Sequence, residues 1–74
     1  MKVEIKYAQR LNPHIYTHEY RVDVNNKPLI LLVDVEDFLK VVCIKPKSGF
    51  EQLWNNLSIE EIDLVNKTIE NRYQ

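Results

Sequence analysis

The chain has 74 residues, a single cysteine and a formal net charge of −1. That length allows one domain, lone Cys43 excludes an internal disulfide and points to a reducing, cytoplasmic setting, and the balanced charge argues against an obligate nucleic-acid binder. No run approaches the ~20 apolar residues of a membrane span, and Met1-Lys2-Val3-Glu4 lacks a signal-peptide core, so no membrane partner is expected.

The first residues alternate. Val3, Ile5 and Tyr7 are apolar, while Lys2, Glu4 and Lys6 are charged. A half-buried strand repeats its faces every two residues, so this stretch reads as one, with Val3, Ile5 and Tyr7 inward. Pro13 interrupts it and pushes Asn12 into extended backbone. A second strand follows over 15–24. It places Tyr16, His18, Tyr20, Val22 and Val24 inward and Thr17, Glu19, Arg21 and Asp23 outward.

Asn25-Asn26 then marks a turn, because Asn tolerates the positive φ of a two-residue hairpin loop. If these two residues form that loop, Val24 pairs with Lys27. Val22 then faces Leu29, Tyr20 faces Leu31 and His18 faces Val33. Arg21 opposes Ile30 and Glu19 opposes Leu32 on the other side. A slip of one residue would break the match. The third strand, Leu29 to Val33, is apolar throughout, so it must offer apolar groups to both faces of the sheet. Pro28 sits at its start, where a missing N–H is tolerated.

Two readings are open for 34–42. Asp34 as a cap, Glu36 and Asp37 in a first turn, and Val35, Phe38, Leu39 and Val42 on one stripe make a helix. The run Leu39-Lys40-Val41-Val42-Cys43-Ile44-Lys45, rich in β-branched residues, makes a fourth strand after a turn at Glu36-Asp37. Beyond the loop around Lys45-Pro46-Lys47-Ser48-Gly49, the period becomes helical. Phe50, Leu53, Trp54 and Leu57 form the inward stripe of a short helix, with Trp54 mostly buried. Ser58 with Glu61 three residues on is a capping box for a last helix. Its buried stripe is Ile59, Ile62, Val65, Ile69 and Tyr73, and Leu64 falls on the opposite side. The fold class is α+β: a three- or four-stranded antiparallel sheet with a C-terminal helix packed on one face, the single domain 1–74.

Little in the chain carries chemistry. His14 and His18 are four apart, but along a strand that spacing is ~13 Å, too far for one metal ion. Cys43, between Val42 and Ile44, reads as buried and inert. Asp34, Glu36 and Asp37 are explained by a helix start. Neither a phosphate loop nor a catalytic triad is present. No cofactor and no enzymatic activity are expected. Tyr16 and Tyr20 could stack bases, yet their face is the core face. Lys40, Lys45 and Lys47, with Arg10, are the basic residues that could make a contiguous phosphate-binding face.

Val24-Asn25-Asn26-Lys27-Pro28, followed by Asp34-Val35 and Leu39, resembles the hairpin-and-helix opening of the amino-terminal domain of Bro-type phage antirepressors. The resemblance covers about a quarter of the chain, and the aromatic residue common in their third strand is absent here. It implies nucleic-acid binding, which stands as the alternative reading. The leading expectation is a small regulator, inhibitor or adaptor that binds protein, either a partner or a second copy as a homodimer. The expected binding surface is the second face of the sheet, with Glu19, Arg21, Ile30 and Leu32. Leu64 on the last helix is a weaker second candidate.

Overall fold

The computed structural model describes residues 1–12, 15–37 and 39–73. Four strands form one antiparallel sheet in chain order: β1 (Val3–Arg10), β2 (His18–Val24), β3 (Lys27–Glu36) and β4 (Lys40–Pro46). Two helices follow, α1 (Glu51–Asn55) and α2 (Ile59–Glu70), and a 3-10 turn spans Asn71–Tyr73. The fold is thus the expected α+β arrangement, with the four-stranded option realised.

The central hairpin has the register that the Asn-Asn turn dictates. Val24 pairs with Lys27, Val22 with Leu29, Tyr20 with Leu31 and His18 with Val33. Asn25 and Asn26 take φ values of 51° and 70°, the signature of a turn that matches the strands' own twist. The first turn residue is tied down on two sides. Lys2 N–H donates to Asn25 Oδ1 at 2.9 Å, and Asn25 Nδ2 donates to Glu61 Oε2 at 2.9 Å.

The segment at 34–42 is strand, turn and strand. β3 runs on to Glu36, and Asp37 makes the turn with φ of 55°. Asp and Asn are the non-glycine residues that best tolerate that region, so the missing Gly or Asn is no obstacle. Phe38, part of the helical reading, lies outside the described residues.

Both edge strands carry a bulge. In β1 the register shifts between Ile5 and Tyr7, leaving Lys6 as the extra residue. In β4 the shift falls at Val42, since Asp34 pairs with Cys43 but Val35 pairs with Val41. An extra residue reverses the alternation beyond it. Tyr7 therefore joins Glu4 on the second face instead of Ile5 in the core, contrary to the simple period-two reading. β2 also starts later than expected, at His18, and Tyr16 lies outside it with its ring 5.1 Å from the Lys45 ammonium. Pro13 lies outside the described residues.

All the covering elements sit on one side. The buried core is Tyr20, Val22, Val24, Leu29, Leu31, Val33 and Val35 from the sheet with Val65 and Ile69 from α2. Phe50, Trp54, Leu57 and Tyr73 pack against that same cluster. Val65 and Ile69 are four apart, on one stripe of α2, and each is fully buried; such burial is worth about 1.5–3 kcal/mol per side chain. Three stripe positions turn out differently. Ile59 is 86% exposed at the first turn of α2, and Leu53 is 41% exposed on α1. Trp54 is half-buried, because α1 is too short to wrap the sheet's corner. Cys43 is exposed, because β4 is an edge strand and Cys43 pairs with Asp34, on the side away from the core.

The capping box is complete. Ser58 Oγ accepts from Glu61 N–H at 3.1 Å, and Ser58 N–H donates to Glu61 Oε1 at 2.9 Å. Ser58→Ala should therefore lower stability by about 1 kcal/mol, a drop of roughly 4–8 °C in Tm for a domain of this size. Thermal melts followed by circular dichroism measure it; coincident melts would mean that the box contributes nothing.

Candidate functional site

Even-numbered residues of β3 point away from the core. Ile30 and Leu32 lie at the middle of that second face, and both are half-buried although both helices pack on the other side. Around them the pairing places Glu4, Tyr7 and Gln9 from β1, Glu19, Arg21 and Asp23 from β2, and Cys43 and Lys45 from β4.

The face is organised by Glu19. Its side chain is only 7% exposed, unusual for a carboxylate on an uncovered sheet surface. Three donors hold it: Lys47 Nζ at 2.8 Å, Gln9 Nε2 at 2.9 Å and Tyr7 Oη at 3.3 Å. Lys47 follows β4 and its N–H bonds Ile30 C=O at 2.9 Å. Its ammonium must therefore cross β3 to reach β2, and the crossing side chain supplies part of the cover over Ile30 and Leu32. Tyr7 arrives only because the Lys6 bulge turns it to this side. The Lys47 ammonium holds the Glu19 carboxyl below its ordinary value, against the opposing effect of burial, with Gln9 and Tyr7 adding to the downward shift. Glu19 in turn raises Lys47. Each partner fixes the other in its charged form, so neither is poised to exchange a proton near neutral pH.

Glu4, Arg21 and Asp23 on the face also have charged partners. Glu4 lies 2.7 Å from Lys2 Nζ and 3.0 Å from Lys6 Nζ, and these two partners, Lys2 first, hold its carboxyl down at about 2. Arg21 Nε and Asp23 Oδ1 are 3.6 Å apart, close enough for attraction but too far for a hydrogen bond, and neither atom has another hydrogen-bond partner.

Four of the five residues expected to bind a partner, Glu19, Arg21, Ile30 and Leu32, are thus brought together. Leu64 is not; it is half-buried on α2, on the other side of the sheet. Tyr7, Gln9, Lys45, Lys47 and Tyr16 belong to the same surface; sequence reasoning put Tyr7 and Tyr16 in the core, weighed Lys45 and Lys47 only for a phosphate-binding face, and missed Gln9. Gln9 could have been found by extending the first strand to meet Glu19. The bulge that swings Tyr7 round has no signal in the sequence. The basic residues are dispersed: Arg10 ends β1 at one edge of the sheet, while Lys40 starts β4 at the other, with Lys45 and Lys47 near that strand's far end. Among the described residues no three His, Cys, Asp or Glu side chains are grouped to hold a metal ion, and His14 lies outside them. Tyr20 is 1% exposed and belongs to the core.

No protein-family model, curated protein or solved structure matches this chain. The antirepressor resemblance gains no support there, and its helix at Asp34 is a strand here.

Glu19 makes the face sensitive to acid. A carboxyl held low in the folded state stabilises the fold above its unfolded value, near 4.5, and that contribution is lost as pH falls through the folded value. Urea midpoints should therefore separate wild type from Glu19→Gln most at neutral pH, with the gap closing below about pH 4. Lys47→Met should also lower stability, since it takes one of the three donors from Glu19. A gap that stays constant with pH would refute the role given to Glu19.

Proposed function

We propose that this protein is a non-enzymatic protein-binding module, a small regulator, inhibitor or adaptor, that works through the second face of its sheet. The observation that carries the reading is an uncovered sheet face with aliphatic residues at its centre and several of its charges paired among themselves. Ile30 and Leu32 supply apolar area, and Tyr7 and Tyr16 add aromatic groups of the kind enriched at interfaces. A surface on which Lys47 and Arg21 already lie beside carboxylates offers less to a phosphate backbone, which binds by replacing counterions with free Lys and Arg. It suits a folded protein surface that brings an apolar ridge bordered by charges of both signs.

The bulges in both edge strands support the use of the face. Bulges blunt an edge against pairing with another strand, which favours a face over added strands. Four strands of 7 to 10 residues, spaced about 4.8 Å apart, give a face of roughly 500 Å². Burying it against an equal area reaches about 1,000 Å² in total, the low end for a specific complex. A reversible, regulatory association is the matching expectation.

The test is the double substitution Ile30→Lys with Leu32→Lys. It should leave a folded protein by circular dichroism and abolish the association that wild type shows, whether a dimer by sedimentation or a purified partner by calorimetry. An unfolded double variant would place both residues in an essential core, and a folded variant that still associates would move the interface elsewhere. Tight binding of wild type to duplex or single-stranded oligonucleotides at physiological salt would establish the nucleic-acid alternative instead.

A further inference from the structure

A concavity lies on the helix side of the sheet, between the Asn25-Asn26 hairpin and the junction of α1 with α2. It encloses about 140 Å³. Val24 and Leu29, each 2% exposed, make its floor, and Leu53 and Leu57 make its helical wall. Leu53 lines this space instead of packing inward, which accounts for part of its exposure.

The rim is polar, and its charges offset each other. Lys27 and Glu61 stand there with opposite signs. Both Glu61 oxygens are engaged, Oε1 by Ser58 N–H and Oε2 by Asn25 Nδ2. Its carboxyl is held below the ordinary value by the Ser58 N–H first, and the Lys27 charge adds to that effect. Asn56, the residue just after α1, also lines the space. Its backbone N–H bonds Gln52 C=O at 3.0 Å, while its side-chain amide makes no hydrogen bond among the described residues.

These features select a ligand. An apolar cavity of roughly 150 Å³ holds one benzene molecule, so the space matches a single six-membered ring. A carboxylate would lose to Glu61 what it gained from Lys27, an ammonium the reverse, and either would shed hydration on entry. An uncharged ring escapes both costs. The Lys27 ammonium favours an aromatic ring over a saturated one, because a cation is drawn to the face of a π system. The Asn56 amide offers a donor and an acceptor to one polar substituent at the mouth.

We propose that this pocket binds a small uncharged aromatic molecule with one hydroxyl group, a phenol, its ring against Val24, Leu29, Leu53 and Leu57 and its hydroxyl bonded to the Asn56 amide. Lys27 and Glu61 together turn away ions of either sign. The pocket lies on the opposite side of the sheet from Ile30 and Leu32, so it stands or falls independently of the protein-binding face.

The experiment is an amide NMR titration of the full chain with phenol, benzene, benzoate, benzylammonium and cyclohexanol, added separately at matched ionic strength. Phenol should give saturable shifts confined to residues 24–29 and 53–61, with a Kd on the order of 1 mM for so small a molecule. Benzoate, benzylammonium and cyclohexanol should each bind roughly fivefold more weakly or worse. Asn56→Ala should weaken phenol about fivefold and leave benzene unchanged, which separates the hydrogen bond from the fit of the ring. Leu53→Asn should weaken both about tenfold; if that variant fails to fold by circular dichroism, Asn56→Ala still decides. Several results would overturn the proposal: no saturation with phenol, shifts centred on Ile30 and Leu32, an ion bound as tightly as phenol, or unchanged phenol affinity in either folded variant. Tighter binding of N-acetyltyrosinamide than of p-cresol would overturn it too, by assigning the pocket to a protein-borne ring.

Discussion

The two-residue turn at Asn25-Asn26 is the constraint on which the rest of the structure depends. A two-residue loop leaves no freedom in how its strands pair, and positive φ at both positions selects the turn whose twist the sheet can continue. With that register fixed, Tyr20, Val22, Leu29, Leu31 and Val33 meet on one side, and α2 has a continuous apolar surface to cover. The same register sends Ile30 and Leu32 the other way. A chain with a single layer of helix cannot cover both sides, so an apolar strip on the second face follows directly from the turn.

The surroundings of that strip show how the fold tolerates it. Glu19, Lys47, Gln9 and Tyr7 come from β1, β2 and the segment after β4, and they form one polar network across the face. Removing a carboxylate from water is costly unless donors replace the lost hydration. Three donors do so here, and Lys47 shields the aliphatic groups while it reaches Glu19. The face is therefore held in one arrangement by its own side chains.

The pairing of β2 with β3 was legible in the sequence because turn chemistry and hydrophobic alternation agree on one register. The start of α2 was legible for a similar reason: Ser58 and Glu61 satisfy each other's backbone groups locally. What escaped was set by neighbours distant in sequence. The bulge at Lys6 shows only in the pairing of β1 with β2, and it moved Tyr7 to the other face. Cys43 looked buried between Val42 and Ile44, but its exposure follows from β4 being the last strand, which local sequence does not state. The segment at 34–42 satisfied helical and extended periods equally well, and the β3–β4 ladder decided between them. On the candidate face, the residues of the hairpin and Glu4 of β1 were found, and Tyr7, Gln9 and Lys47 were not.

Glu61 joins two parts of the molecule that are 36 positions apart. One carboxylate oxygen closes the cap on α2, and the other accepts from Asn25 in the hairpin turn. Fraying at the helix start and loosening at the hairpin tip would each disturb the same group. The two regions should behave as one cooperative opening unit in amide hydrogen exchange, although neither shares a strand pairing with the other. In folding, the cap can close locally, but the second bond to Glu61 forms only once the hairpin has closed. A local helix signal is thereby tied to long-range order, so the last helix reports on the assembly of the sheet beneath it.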